Sequence, residues 1–122
     1  MKLAMTEREL DLICFFDCLH DLGDPVGAAI QARNALAKDG TLLIVEPLGR
    51  DRVEENINPV SQIYYAASTT LCCAHSLSEE VGLALGAQAG ESRLRSVFQE
   101  AGFTRFRKAK ETPFNMILEV RP

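Results

Sequence analysis

Leu12-Ile13-Cys14-Phe15-Phe16 is an unbroken apolar run closed by Asp11 on one side and Asp17 on the other. The run is too short for a buried helix, and its aromatic and β-branched residues suit extended chain. Continuous rather than alternating apolar character predicts a strand covered on both faces, as in the middle of a parallel sheet. Asp17, His20 and Asp21 follow at once. Open α/β sheets bind ligands outside the carboxyl ends of their strands. Chemistry is therefore expected where this run stops.

What comes next supports a layered α/β fold. In Leu22-Gly23-Asp24-Pro25, Asp24 can cap a helix and Pro25 suits its first position. Val26, Ala29, Ile30, Leu36 and Ala37 then share one helical face. Lys38-Asp39-Gly40 ends the helix, with Gly40 expected in the left-handed conformation. Thr41 to Glu46 reads as a second buried strand that stops at Pro47. Strand, helix and strand with short links form a βαβ unit, with parallel strands and a right-handed crossover.

The remainder is less regular. Asn58-Pro59 repeats the helix-start signal, and Val60, Ile63, Tyr64, Ala67 and Leu71 follow helical spacing. This helix reads either as a surface helix packed by one face or as a lid over a pocket. Ser76 and Glu79 have capping-box spacing, which predicts a further short helix. Gly82, Gly86 and Gly90 punctuate a small-residue segment. It lacks a preceding strand and a following Lys-Ser/Thr, so it is no phosphate loop and reads as a loose loop or frayed helix. Leu94, Val97, Phe98 and Ala101 mark a helix over 91–101 that Gly102 stops. Segments 103–108 and 113–120 are strands whose short link makes them an antiparallel hairpin.

The net charge of −4 argues against a nucleic-acid partner held through phosphates. Arg105-Phe106-Arg107-Lys108 is a local basic exception and reads as a solvated strand end. No apolar run approaches the ~20 residues of a membrane span. The first ten residues turn charged before an apolar signal core forms, so a cytoplasmic location is expected. Cys14, Cys18, Cys72 and Cys73 are then free thiols. Without a Cys-x-x-Cys pair, and with two histidines in all, no metal site is expected.

Taken together, these segments resemble a known family. Asp11 to His20 with Asp24-Pro25 resembles the fourth strand and following loop of class I S-adenosylmethionine-dependent methyltransferases. Leu36 to Gly40 followed by Leu42 to Pro47 resembles the segment that comes next, with Lys38-Asp39 in place of the commoner Pro-Gly. Leu94 to Phe103 resembles the helix before the sixth strand, and the last strand with Arg121-Pro122 resembles the closing antiparallel one. The resemblance implies a partial Rossmann-like α/β sheet of about four strands, in the parent order fourth, fifth, seventh, sixth. Residues 1–122 would then be a single domain, the C-terminal half of the fold. Such enzymes open with a strand and a glycine-rich cofactor loop, and neither precedes Asp11 here. The chain is therefore expected to be truncated, inactive by itself, and a weak binder of S-adenosylmethionine.

The resemblance also orders the candidate residues. His20 would lie near the transferred methyl group and orient or deprotonate an acceptor hydroxyl. Asp17 and Cys18 would border the cofactor in a complete fold. Glu46, Tyr64 and Tyr65 would line the pocket of a small-molecule substrate. Two other readings stand beside the enzyme: a non-catalytic oligomeric remnant, and part of a regulatory protein of winged-helix/methyltransferase type. A central strand lacking one neighbour calls for a partner, expected to be a second copy or the missing N-terminal half.

Overall fold

The computed structural model describes residues 9–122. Four strands form one sheet in the order β1-β2-β4-β3, where β1 is Leu10–Phe16, β2 is Leu36–Pro47, β3 is Arg105–Glu111 and β4 is Asn115–Arg121. β1 and β2 run parallel, pairing Ile13 with Leu42 and Phe15 with Ile44. β4 runs antiparallel to both β2 and β3. The expected order and directions hold.

Helix α1, Pro25–Ala35, joins β1 to β2. Asp24 caps it by accepting from the Gly27 amide at 2.8 Å, and Pro25 sits in its first turn. The helix ends earlier than its apolar spacing suggests, because Leu36 is already extended and opens β2. Gly40 is consequently a strand residue, not a left-handed helix stop. It is needed for a different reason: a Cβ there would stand 2.8 Å from the Leu10 carbonyl oxygen.

Helix α4, Gly90–Glu100, packs beside α1 on one face of the sheet. Ala29 and Ala32 of α1, Leu94 and Phe98 of α4, and Ile13, Phe15, Leu42, Ile44, Leu118 and Val120 of the strands share one core. The small α1 residues let that helix lie close to the strands, while Phe98 packs against Phe106 of β3 and meets Phe103 edge-on at 5.8 Å. Each large aliphatic or aromatic side chain so buried contributes about 1.5–3 kcal/mol.

The opposite face corrects the reading of β1 as covered on both sides. Ile13 and Phe15 point into the core, but Leu12 is 55% and Phe16 61% exposed. Among the described residues the strand is also an edge, with β2 on one side only. Its continuous apolar sequence suits a doubly covered strand, and the described chain covers one face.

Residues 59–77 form one helical rod: α2, Pro59–Ala67, a π-helical turn, Ser68–Cys72, and α3, Cys73–Leu77. Asn58 caps it through the Ser61 amide. Its packing inverts the expected face. Ser61, Ser68, Cys72 and Ser76 are buried, whereas Ile63 and Leu71 are each 68% exposed. Ser76 starts no new helix. It lies within α3, where its hydroxyl donates to the Leu22 carbonyl and accepts from the Ala84 amide. The glycine segment that follows is irregular but pinned: the Ala87 amide donates to Ser68 Oγ and the Gly86 amide to the His20 carbonyl. The hairpin strands β3 and β4 lie a few residues later than the sequence pattern suggests, with the turn at 112–114.

Candidate active site

β2 alternates, and Leu42, Ile44 and Glu46 fall on its buried face. The first two are core residues. Glu46 takes the next inward position, at the carboxyl end of the strand, and is 1% exposed. A carboxylate here must find donors, because desolvating an unpaired charge costs several kcal/mol. It finds two in the turn after β1. Its Oε1 accepts from the Leu19 amide at 3.0 Å, and its Oε2 lies 2.5 Å from Nδ1 of His20. The turn itself is a 3-10 segment, Leu19–Asp21, with Leu19 fully buried and His20 4% exposed.

The pairing sets the imidazole. A carboxylate accepts, so Nδ1 carries the proton and Nε2 is left as the ring's free nitrogen. Nε2 stands 3.3 Å from Asp21 Oδ1. Burial acts to lower the His20 pKa, but the Glu46 hydrogen bond and the negative charges of Glu46, Asp21 and Asp17 outweigh it and raise the group above its ordinary value.

Three neighbours hold this turn from above. The Gly86 amide reaches the His20 carbonyl at 3.3 Å. Ser76 Oγ reaches the Leu22 carbonyl at 2.8 Å. Cys72, 8% exposed, brings its sulfur to the same place as His20 Nε2 and Asp21 Oδ1, the three atoms lying within 4.8 Å of one another. Burial first, then the Asp21 carboxylate, push the Cys72 thiol up to about 12. The π-helical turn ends on this cysteine, and such turns recur at functional sites because they re-aim one side chain within a helix.

Of the residues singled out in sequence, His20 and Glu46 therefore meet directly. Asp17 and Cys18 flank them. Asp17 has a left-handed backbone, φ 52°, and its amide closes the strand end on the Val45 carbonyl at 2.7 Å. The Cys18 thiol is raised by burial and then by the charge of Glu46. Tyr64 feels the charge of Asp17 after the larger effect of its own burial, and its hydroxyl donates to the Phe114 carbonyl at 3.0 Å. Tyr65 faces elsewhere: its hydroxyl accepts from Asn56 Nδ2 at 3.1 Å. Sequence reasoning placed Asp21 beside His20 at the strand end without giving it a role, and passed over Cys72. Cys72 lies 52 residues from His20 in the chain, so no local spacing announces it.

No protein-family model and no curated protein matches the chain. Solved structures do match. The mitomycin 7-O-methyltransferase MmcR superposes with a TM-score of 0.62 at 19% identity, over 97% of this chain and 31% of that one. PigF, solved with SAH, gives 0.65 at 13%, over 97% and 32%. An O-methyltransferase family protein of Burkholderia thailandensis gives 0.60 at 17%, over 95% and 31%. The chain thus has the fold of one portion of such O-methyltransferases. It spans about a third of the length of these structures.

Proposed function

We propose that this chain is the acceptor-side, C-terminal half of an S-adenosylmethionine-dependent methyltransferase acting on a hydroxyl group of a small molecule. One observation carries the reading: a buried Glu46–His20 pair at the carboxyl ends of two adjacent parallel strands, 2.5 Å apart. Glu46 fixes the tautomer and the ring plane. His20 Nε2 can then take the proton of an acceptor hydroxyl, as a general base works when geometry and protonation are set beforehand. Asp21 stands on the same side and holds the resulting imidazolium by charge. Asp17 and Cys18 border the cofactor side, with Tyr64 at the rim and Tyr65 further out.

The described residues do not by themselves make a cradle for the cofactor. β1 is followed by Asp17-Cys18-Leu19-His20 and not by a glycine-rich turn, and the backbone donors that grip such a ligand's charged end need one. The reading therefore includes a partner. The bare edge of β1 with exposed Leu12 and Phe16 is where a cofactor-binding half would dock, in the same polypeptide or as a separate one. A second copy of this chain is its substitute when that half is lacking.

The test compares this chain alone with the same chain joined in frame to the sequence that precedes it in its genome. Calorimetry with S-adenosylhomocysteine and transfer of a tritiated methyl group to small hydroxylated acceptors are the readouts. Weak cofactor binding by the chain alone, with tight binding and transfer in the joined protein, is expected. Low-micromolar binding by the chain alone, or cofactor binding without transfer to any hydroxyl in the joined protein, would contradict the reading.

A further inference from the structure

We infer that His20, Asp21 and Cys72 form a binding site for a divalent cation of the zinc class. The inference stands on the geometry of the three side chains and is independent of the methyl-transfer reading. His20 donates its Nδ1–H to Glu46, so in its neutral form Nε2 presents a lone pair. That lone pair faces Asp21 Oδ1 at 3.3 Å. The Asp21 side chain is 41% exposed as a whole, but Oδ1 is its inward oxygen, inaccessible to solvent and facing the His20 ring and the Cys72 sulfur. With His20 neutral these two acceptor atoms face each other in a buried place, and their repulsion is relieved either by a proton on Nε2 or by a cation between them. The Cys72 sulfur completes a triangle whose corners all lie within 4.8 Å.

The chemistry of the set narrows the ion. One imidazole nitrogen, one thiol sulfur and one carboxylate oxygen make a mixed, borderline donor set that suits Zn²⁺ or Co²⁺, whereas Mg²⁺ and Ca²⁺ prefer oxygen alone. Three protein ligands leave a fourth position for water or a small molecule, the pattern of an open rather than a structural site. Glu46 on the far nitrogen of His20 supplies the outer carboxylate that metal-bound histidines usually have, fixing ring orientation and donor atom. The site is also prearranged from three directions: Glu46 sets the histidine, the 3-10 turn sets Asp21, and the π-helical turn delivers Cys72. An ion here uses the lone pair that a general base needs, so occupancy and proton abstraction by His20 exclude each other.

The experiment is a titration of the unmodified chain with Co²⁺ alone, followed by absorption. A thiolate-to-cobalt charge-transfer band in the near ultraviolet, saturating at one equivalent, is expected. It should vanish in Cys72→Ala and persist in Cys73→Ala, Cys18→Ala and Cys14→Ala. Zn²⁺ should abolish the band by displacement and raise the melting temperature of the unmodified chain, but not that of Cys72→Ala. The Cys72→Ala variant has to keep the circular dichroism of the parent, and Cys72→Ser serves in its place where it does not. A folded chain that shows no band at millimolar Co²⁺, or a band that survives both Cys72 substitutions, would overturn the inference.

Discussion

Glu46 stands where the alternation of β2 calls for a third aliphatic side chain after Leu42 and Ile44, and both of its oxygens are used by the turn after β1. Removing it strands a buried imidazole and the Leu19 amide. Glu46→Ala should therefore destabilise the chain by roughly 3–5 kcal/mol, the range for breaking a buried pair from one side. Glu46→Gln keeps one acceptor and should lose roughly 1–2 kcal/mol. Denaturant unfolding of the two variants checks this, and equal, negligible losses would show the pair to be slack. Sequence placed both residues at strand ends but could not pair them. Which residue of a turn reaches a neighbouring strand depends on the 3-10 geometry at Leu19–Asp21, and no residue pattern encodes it. A surface pair makes the contrast. Arg50 and then Lys108 hold the Glu111 carboxyl down from 4.5 to about 2. A depressed carboxyl stabilises above its unfolded pKa and loses that contribution as pH falls through the folded one. Glu111→Gln should thus cost no more than about 1 kcal/mol at neutral pH. The difference from the parent should shrink between pH 4.5 and about 2 and be gone below that; a difference constant with pH would refute it.

At the scale of elements, the βαβ unit and the closing hairpin were legible because their signals are local: a cap, a proline, a period. The rod 59–77 was half legible. Asn58-Pro59 announced its start, but its inward face is Ser61, Ser68, Cys72 and Ser76, and of these Ser68 and Ser76 accept from the Ala87 and Ala84 amides. Helical spacing of Ile63 and Leu71 pointed to the wrong side because burial at Ser68 and Ser76 follows hydrogen bonding to the 78–89 segment. Gly86 is the clearest case. Its φ is +72°, and a Cβ would collide with Ser68 Oγ and stand 2.9 Å from Cys73 Sγ. Gly86→Ala combines left-handed strain with overpacking and should cost roughly 2–4 kcal/mol. It should also raise hydrogen exchange at residues 19–22, since the Gly86 amide braces the His20 carbonyl. Unchanged exchange there would separate the segment from the site.

The whole molecule is a sheet with one finished face. Among the described residues, α1 and α4 close it on one side, while Leu12 and Phe16 remain open beside an unpaired strand edge. Such an edge invites strand addition, and a two-fold dimer is the commonest closure available to a single chain. Light scattering at micromolar concentration should find the chain self-associated, and Phe16→Asp should return it to monomer. Phe15 is no use as a probe, because it is 5% exposed and faces the core; charging it would unfold the chain. A stable monomer before substitution would contradict the expectation. Sequence showed the apolar strand but not which of its faces the chain itself covers, since that depends on which side of the sheet α1 and α4 pack.

The central claim is that His20, set by Glu46, is the proton acceptor of a methyl-transferring site. Its most direct test is the turnover of His20→Gln against the parent in the joined protein, measured at saturating cofactor. The account predicts a fall in kcat of about 10²–10⁴-fold with unchanged affinity for S-adenosylhomocysteine. A kcat within a few fold of the parent, in a variant that binds the cofactor normally, would contradict it.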